Sequence, residues 1–169
     1  MRFFAFIATI FLLTSCWPES VSFVDKGGMN AEWKTFFVKT LENKAPNTSL
    51  SYPATLSEAV KDGIQNRTRL NLSNTADSAE LEIEGVINAY SVTPIAIQGN
   101  DQASQNRLTV SVSFSIFIKV PEEDQMTLTS TRFIDYDSGK DLATIENTLL
   151  EEVTDQIVQD VINKLQSNW

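Results

Sequence analysis

From Leu108 to Val120 the side chains alternate without a break. Leu108, Val110, Val112, Phe114, Ile116, Ile118 and Val120 are apolar, while Thr109, Ser111, Ser113, Ser115, Phe117 and Lys119 fall between them. A period of two over this length is incompatible with a helix and predicts a long strand with one packed and one open face. Such a strand needs a second layer to cover its apolar side and neighbours to satisfy its backbone. Leu81, Ile83, Ile87 and Ala89 alternate with Glu82, Glu84 and Asn88, with Gly85 as the expected bulge. After Pro121-Glu122-Glu123-Asp124 a third run extends from Met126 to about Ile134. The three predict an antiparallel meander packed on one face only.

Two amphipathic segments supply the covering layer. Thr55-Leu56-Ser57-Glu58 has the spacing of a capping box, and Leu56, Val60 and Ile64 then recur every fourth residue. Gly63 lies beside that stripe and predicts a close approach of this helix to the sheet. From Asp141 to the C-terminus, Leu142, Ile145, Leu149, Val153, Ile157, Val161 and Leu165 step by three and four, widened by Leu150, Val158 and Ile162. Lys34–Leu41 suits a first strand and Leu70–Leu72 a short second one. A helix joins these two strands, so they should be parallel. The expected fold is therefore α+β: a single domain with two helices on one face of a mixed, mostly antiparallel sheet.

The N-terminus has a different build. Arg2 precedes an apolar run from Phe3 to Leu13, 11 residues and too short to span a bilayer, which takes roughly 20. The run closes on Leu13-Thr14-Ser15-Cys16, and Cys16 is the only cysteine in the chain. This resembles the lipobox of bacterial lipoproteins, which implies cleavage before Cys16 and acylation of that residue. Residues 1–15 are then a signal peptide, 16–33 a lipidated tether and 34–169 the domain. Each buried CH₂ contributes about 0.8 kcal/mol, so several acyl chains on Cys16 would hold the protein firmly to a membrane.

Removing residues 1–15 takes away Arg2 and leaves 12 cationic against 22 acidic side chains, a charge of −10. Nucleic acid is excluded as a partner, because phosphate binding requires clustered cations. With Cys16 acylated no internal disulfide can form. The chain has no histidine, which removes Ser-His-Asp, Cys-His and His-zinc chemistry. An enzyme would have to work with carboxylates alone, for example a glycan hydrolase using Asp135 and Glu146. That chemistry needs two acids facing each other across a cleft. The segment Asp135–Asp141 with Glu146 has the acid spacing of a calcium loop, but Lys140 stands where the tight turn requires glycine. A strand-to-helix turn with Asp141 as helix cap fits better. No enzyme, metal or cofactor is therefore expected.

Two features suggest a docking surface. Ser111, Ser113 and Ser115 make the open face of the central strand polar but uncharged, and the Thr93–Arg107 connection is also nearly free of charge. A face meant only for water has no reason to avoid charge in so acidic a protein. The chain also contains Tyr90-Ser91-Val92-Thr93-Pro94-Ile95-Ala96-Ile97-Gln98-Gly99-Asn100, then Arg107–Val110, Arg132–Asp137 and the ending Asn163–Trp169. With the lipobox, these segments resemble the LptE-like family, small lipoproteins of the lipopolysaccharide-assembly translocon.

The resemblance implies a non-catalytic outer-membrane protein with no cofactor, lipid-anchored on the periplasmic side. It would sit as a plug in the lumen of a large LptD-like β-barrel, help that barrel assemble, and assist insertion of lipopolysaccharide. The partner-binding candidates are Tyr90, Thr93, Pro94, Ile95, Gln98, Asn100, Ser111, Ser113 and Ser115. Lipopolysaccharide is phosphorylated, so its candidates are the cations Arg107, Lys119 and Arg132. A competing expectation is a pilot lipoprotein for another outer-membrane complex, such as a secretin. Cys16→Ala should leave a precursor that is neither acylated nor cut; undiminished incorporation of a labelled fatty acid would exclude the anchor.

Overall fold

A computed structural model describes residues 28–95 and 105–167. Cys16, Gln98, Asn100, the signal peptide, most of the tether and the middle of the Thr93–Arg107 connection lie outside the described residues. The elements are β1 (Thr35–Val38), β2 (Glu42–Asn43), α1 (Tyr52–Arg67), β3 (Asn71–Leu72), β4 (Leu81–Ile95), β5 (Gln105–Ile118), β6 (Asp124–Asp137) and α2 (Leu142–Gln166). They form one mixed six-stranded sheet in the order β3-β1-β4-β5-β6, with β2 also pairing to β4. β1 and β3 are parallel, as the helical crossover requires, and β4, β5 and β6 form the antiparallel meander.

Both helices cover the same face. Leu108, Val110, Val112, Phe114, Ile116 and Ile118 of β5 are buried beneath them, with Leu56, Val60 and Ile64 from α1. Leu149, Val153, Ile157, Val161 and Leu165 line the buried side of α2. Burying each such side chain stabilises by about 1.5–3 kcal/mol, so the one-sided layer follows from the alternation. Val120 departs from it. The strand ends at Ile118, Val120 is 38% exposed, and its carbonyl accepts a hydrogen bond from Trp33 Nε1 at 3.0 Å. Trp33 itself is 2% exposed, so the folded part begins before residue 34.

Three local expectations are corrected. The first helix starts at Tyr52, not after a capping box at Thr55: its N-cap Ser51 makes no side-chain cap bond, and Pro53 sits in the first turn. Proline is tolerated there because its missing N–H would have no intrahelical partner anyway. Thr55 Oγ1 instead donates to the Ser51 carbonyl, and Glu58 pairs with Lys61 at 2.7 Å. Ser57 serves the sheet: its hydroxyl accepts from the Leu41 N–H at 2.9 Å, where the chain breaks between β1 and β2.

Gly85 is not a bulge. It pairs in register with Phe114, and a Cβ there would lie 2.8 Å from Leu41 Cγ. The register shift falls between Ile87 and Ala89 instead. It reverses the parity of β4, so Tyr90 enters the core while Ala89 joins the open face opposite Ser111. Gly63, expected to approach the sheet, approaches the other helix: a Cβ there would stand 2.2 Å from Val158 Cγ1. The two helices meet at that point.

Gly63→Ala should therefore destabilise although alanine is the better helix former, by about 1–3 kcal/mol as for other overpacked sites. Adding Val158→Ala should recover part of the loss. Denaturant melts of the single and double variants check this, and additive losses would place the contact elsewhere. Phe114→Ala should cost about 3–5 kcal/mol and Ser113→Ala little, because only the first side chain is in the core.

Candidate functional site: an uncharged hydroxyl field on the open sheet face

The bare face of β4, β5 and β6 is a grid whose columns follow from strand register. Opposite Ser111 stand Ala89 and Thr131; opposite Ser113 stand Val86 and Thr129; opposite Ser115 stand Glu84 and Thr127. Ser91, Thr109 and Phe133 form the next row, and Thr93, Arg107 and Asp135 the row beyond. Asn88, at the register shift, donates from Nδ2 to Ser113 Oγ at 2.7 Å. Ser111 and Thr131 hydroxyls lie 2.9 Å apart, and those of Ser113 and Thr129 3.3 Å apart. From the Ser113 row to the Thr109 row the uncharged part measures about 10 Å across three strands and about 13 Å along them.

Charge is confined to the two ends, where it is paired. At one end Lys39 reaches Glu84 at 2.7 Å and Lys119 reaches Glu82 at 3.2 Å. At the other, Arg107 Nε and Nη2 meet the two Asp135 oxygens at 2.7 and 2.8 Å. The guanidinium also lies 3.8 Å from the centre of the Phe133 ring, which is 49% exposed. Its bond to Asp135 holds the Asp135 carboxyl below the usual carboxylate range, partly offset by desolvation. The hydroxyls can donate or accept, so the field can match either polarity in a partner at little cost.

The expected residues divide. Ser111, Ser113, Ser115 and Thr93 share this face. Tyr90 is on the opposite, helix-covered side and 8% exposed, its hydroxyl donating to Glu146 of α2. Burial first, and then the Glu146 carboxylate, push the Tyr90 phenol above its usual range. Pro94 and Ile95 end β4, where the β4–β5 pair extends to Gln105.

The three cations do not meet. Arg107 and Lys119 stand at opposite ends of β5, about 40 Å apart by strand rise, and Arg132 is on the helix side bound to Asp160. Asp135 and Glu146 likewise belong to opposite faces, Asp135 with Arg107 and Glu146 with Tyr90. So placed, Asp135 and Glu146 do not face each other across a cleft, as a hydrolase pair or a shared calcium loop would need. Asp141 caps α2 as expected, accepting from the Ala143 N–H at 3.2 Å.

Sequence reasoning missed Thr127, Thr129, Thr131 and Phe133, which complete the field. Their signal was present, since odd positions of β6 alternate with Met126, Leu128 and Ile134. On the reverse side Asp160 joins α2 to β6, accepting from Ser130 Oγ at 2.5 Å and from Arg132 Nε at 2.7 Å. Desolvation raises the Asp160 pKa, but the bonds from Arg132 and Ser130 outweigh it, so the net direction is down. A depressed folded pKa contributes stability above the unfolded value near 3.9, and that stability is lost as pH falls through the folded value. Asp160→Asn should thus cost about 1–3 kcal/mol at pH 7 and progressively less below about pH 4. A pH-independent loss in paired melts would contradict the role given to this carboxylate.

Comparison with known proteins supplies a second line. The family model LptE, described as Lipopolysaccharide-assembly, matches residues 33–165. No curated protein matches in sequence. Among solved structures, an uncharacterized lipoprotein B from Nitrosomonas europaea superposes with a TM-score of 0.54 at 16% identity, covering 79% of this chain and 83% of that one. A minor lipoprotein from Acinetobacter baumannii gives 0.49 at 17% identity over 80% and 94% of the two chains. The rare lipoprotein B from Shewanella oneidensis gives 0.47 at 14% over 78% and 92%. At these identities the first likeness speaks for the fold alone.

Proposed function

Because the chain belongs to the LptE lipopolysaccharide-assembly family, we propose that it is an outer-membrane lipoprotein, anchored through Cys16. In this reading it plugs a large LptD-like β-barrel from the periplasmic side, helps that barrel assemble, and assists insertion of lipopolysaccharide into the outer membrane. The observation that carries the reading is the hydroxyl field on β4–β6. In a chain of net charge −9, the central rows of three long strands hold no ionised side chain.

Such a surface suits the polar lumen wall of a barrel. A carboxylate buried there without a partner would cost several kcal/mol, while a hydroxyl finds a hydrogen bond in either direction. The open face, with the connection between β4 and β5, is therefore the part that enters the barrel. The acidic outer side of α2 stays clear of the wall. Among the three cations Arg107 borders the field, and a lipopolysaccharide phosphate competing with Asp135 would meet its two aligned N–H donors.

Ser113→Asp or Ser115→Asp should leave melting nearly unchanged but sharply reduce the barrel that co-purifies in mild detergent. Glu151→Lys and Asp155→Lys should not. Photocrosslinkers placed between residues 93 and 107 should capture the barrel. Equal yields from all four variants, with no crosslink, would put the docking surface elsewhere. Co-purification of a multimeric ring would turn the reading towards a secretin pilot.

A further inference from the structure

β6 is a sheet edge that carries almost none of the usual protection. It runs 14 residues, pairs with β5 in one unbroken register, and has no strand on its outer side among the described residues. Soluble proteins blunt such edges with charge, proline, bulges or brevity, because the free N–H and C=O groups template further pairing. From Gln125 to Thr131 the edge has no charge, no proline, no glycine and no bulge. An open groove of about 590 Å³ runs beside it, walled by Leu128–Arg132 of β6 and by Asp160, Asn163, Lys164 and Ser167 of α2.

We infer that the outer edge of β6 between Gln125 and Thr131 receives one extended segment of another protein by main-chain pairing. Alternate side chains of that segment enter the groove, and an acidic one faces Lys164. Two observations choose this occupant. A second copy of the chain does not fit. Among the strands α2 packs chiefly on β6, and it is tied to it through Asp160, so joining two β6 edges antiparallel, with both helices on one face, would bring the two α2 helices towards the roughly 5 Å strand spacing. Packed helices need about 8–10 Å. The incoming segment must therefore lack a layer of its own over the seam. The second observation is charge. Arg132 is neutralised by Asp160, whereas Lys164 makes no ion pair among the described residues, so the groove is cationic in an acidic protein. A carboxylate on the segment complements it.

A closed barrel offers no free strand, so within the barrel reading the segment would be a loop or terminal extension. The inference does not require that reading. Backbone amide exchange of the full-length acylated chain tests it, in native outer-membrane vesicles against the same chain purified free of partners in detergent. The outward-facing amides, every second one from 125 to 131, should exchange at least about tenfold more slowly in the vesicles. Lys164→Glu should remove much of that slowing, and Lys140→Glu, far from the groove, none. Identical rates in both preparations overturn the inference even where a barrel co-purifies, and the proposed function then stands alone. Slowed amides without a co-purifying barrel keep this docking edge and remove the barrel. Slowing untouched by Lys164→Glu overturns the acidic character of the segment.

Discussion

The even-numbered side chains of β5, from Leu108 to Ile118, must be out of water, and two helices on one side of the sheet are the means. All six are at most 4% exposed. Each is held between two strands in register and the helices above, so a slip of one residue would turn the whole row to solvent. The helices depend on this side of the sheet in turn, because their apolar stripes cover it and each other. Where they meet, Gly63 lets Val158 approach as closely as a backbone allows. The small break at Lys39–Leu41 is closed by the same layer, through the Ser57 hydroxyl on α1. Stability and the shape of the bare face therefore have one cause.

That cause also leaves a free face. With both helices on one side, the other side of β4–β6 has nothing from the described chain to cover it. It carries hydroxyls that bond across strands, with paired ions at each end. Ser–Thr pairs of this kind stabilise the sheet by about 0.2–1 kcal/mol each and present neither charge nor a large apolar area. Val86 opposite Ser113 and Phe133 under the Arg107 guanidinium are apolar exceptions, and Phe133 marks one end of the field. The side with the helices has a polar junction of its own at Asp160, which fixes α2 over the last strand, whose outer edge has no partner strand among the described residues.

Much of this was legible without coordinates, and the failures have specific reasons. Periodicity identified the three long strands and both helices, because burial on one face imposes a pattern that the chain must carry. It missed the parity change in β4. Tyr90 and Ala89 read as though the alternation continued from Leu81, while the register shift at Asn88 exchanges their faces. Such a shift leaves no mark in composition when the residue there is ordinary. The helix start was misread because Thr55 and Glu58 have capping-box spacing, whereas Pro53 and the buried Tyr52 decide where the turn begins. The cations were chosen as a group, and three-dimensional placement separated them, since Arg132 and Arg107 differ in strand parity.

Local order along the chain determined which residues face inward, which strands are long, where α2 is capped, and that the chemistry is not histidine-based. Those properties depend on neighbours one to four positions away, and side-chain period reports them. Tertiary structure decided which glycine meets which helix, which carboxylate satisfies which cation, and that Thr127, Thr129 and Thr131 align with Ser115, Ser113 and Ser111 as one field. It also left β6 at one edge of the sheet among the described residues. These are matters of register and packing between segments distant in sequence, where one inserted residue or one side-chain volume changes the answer.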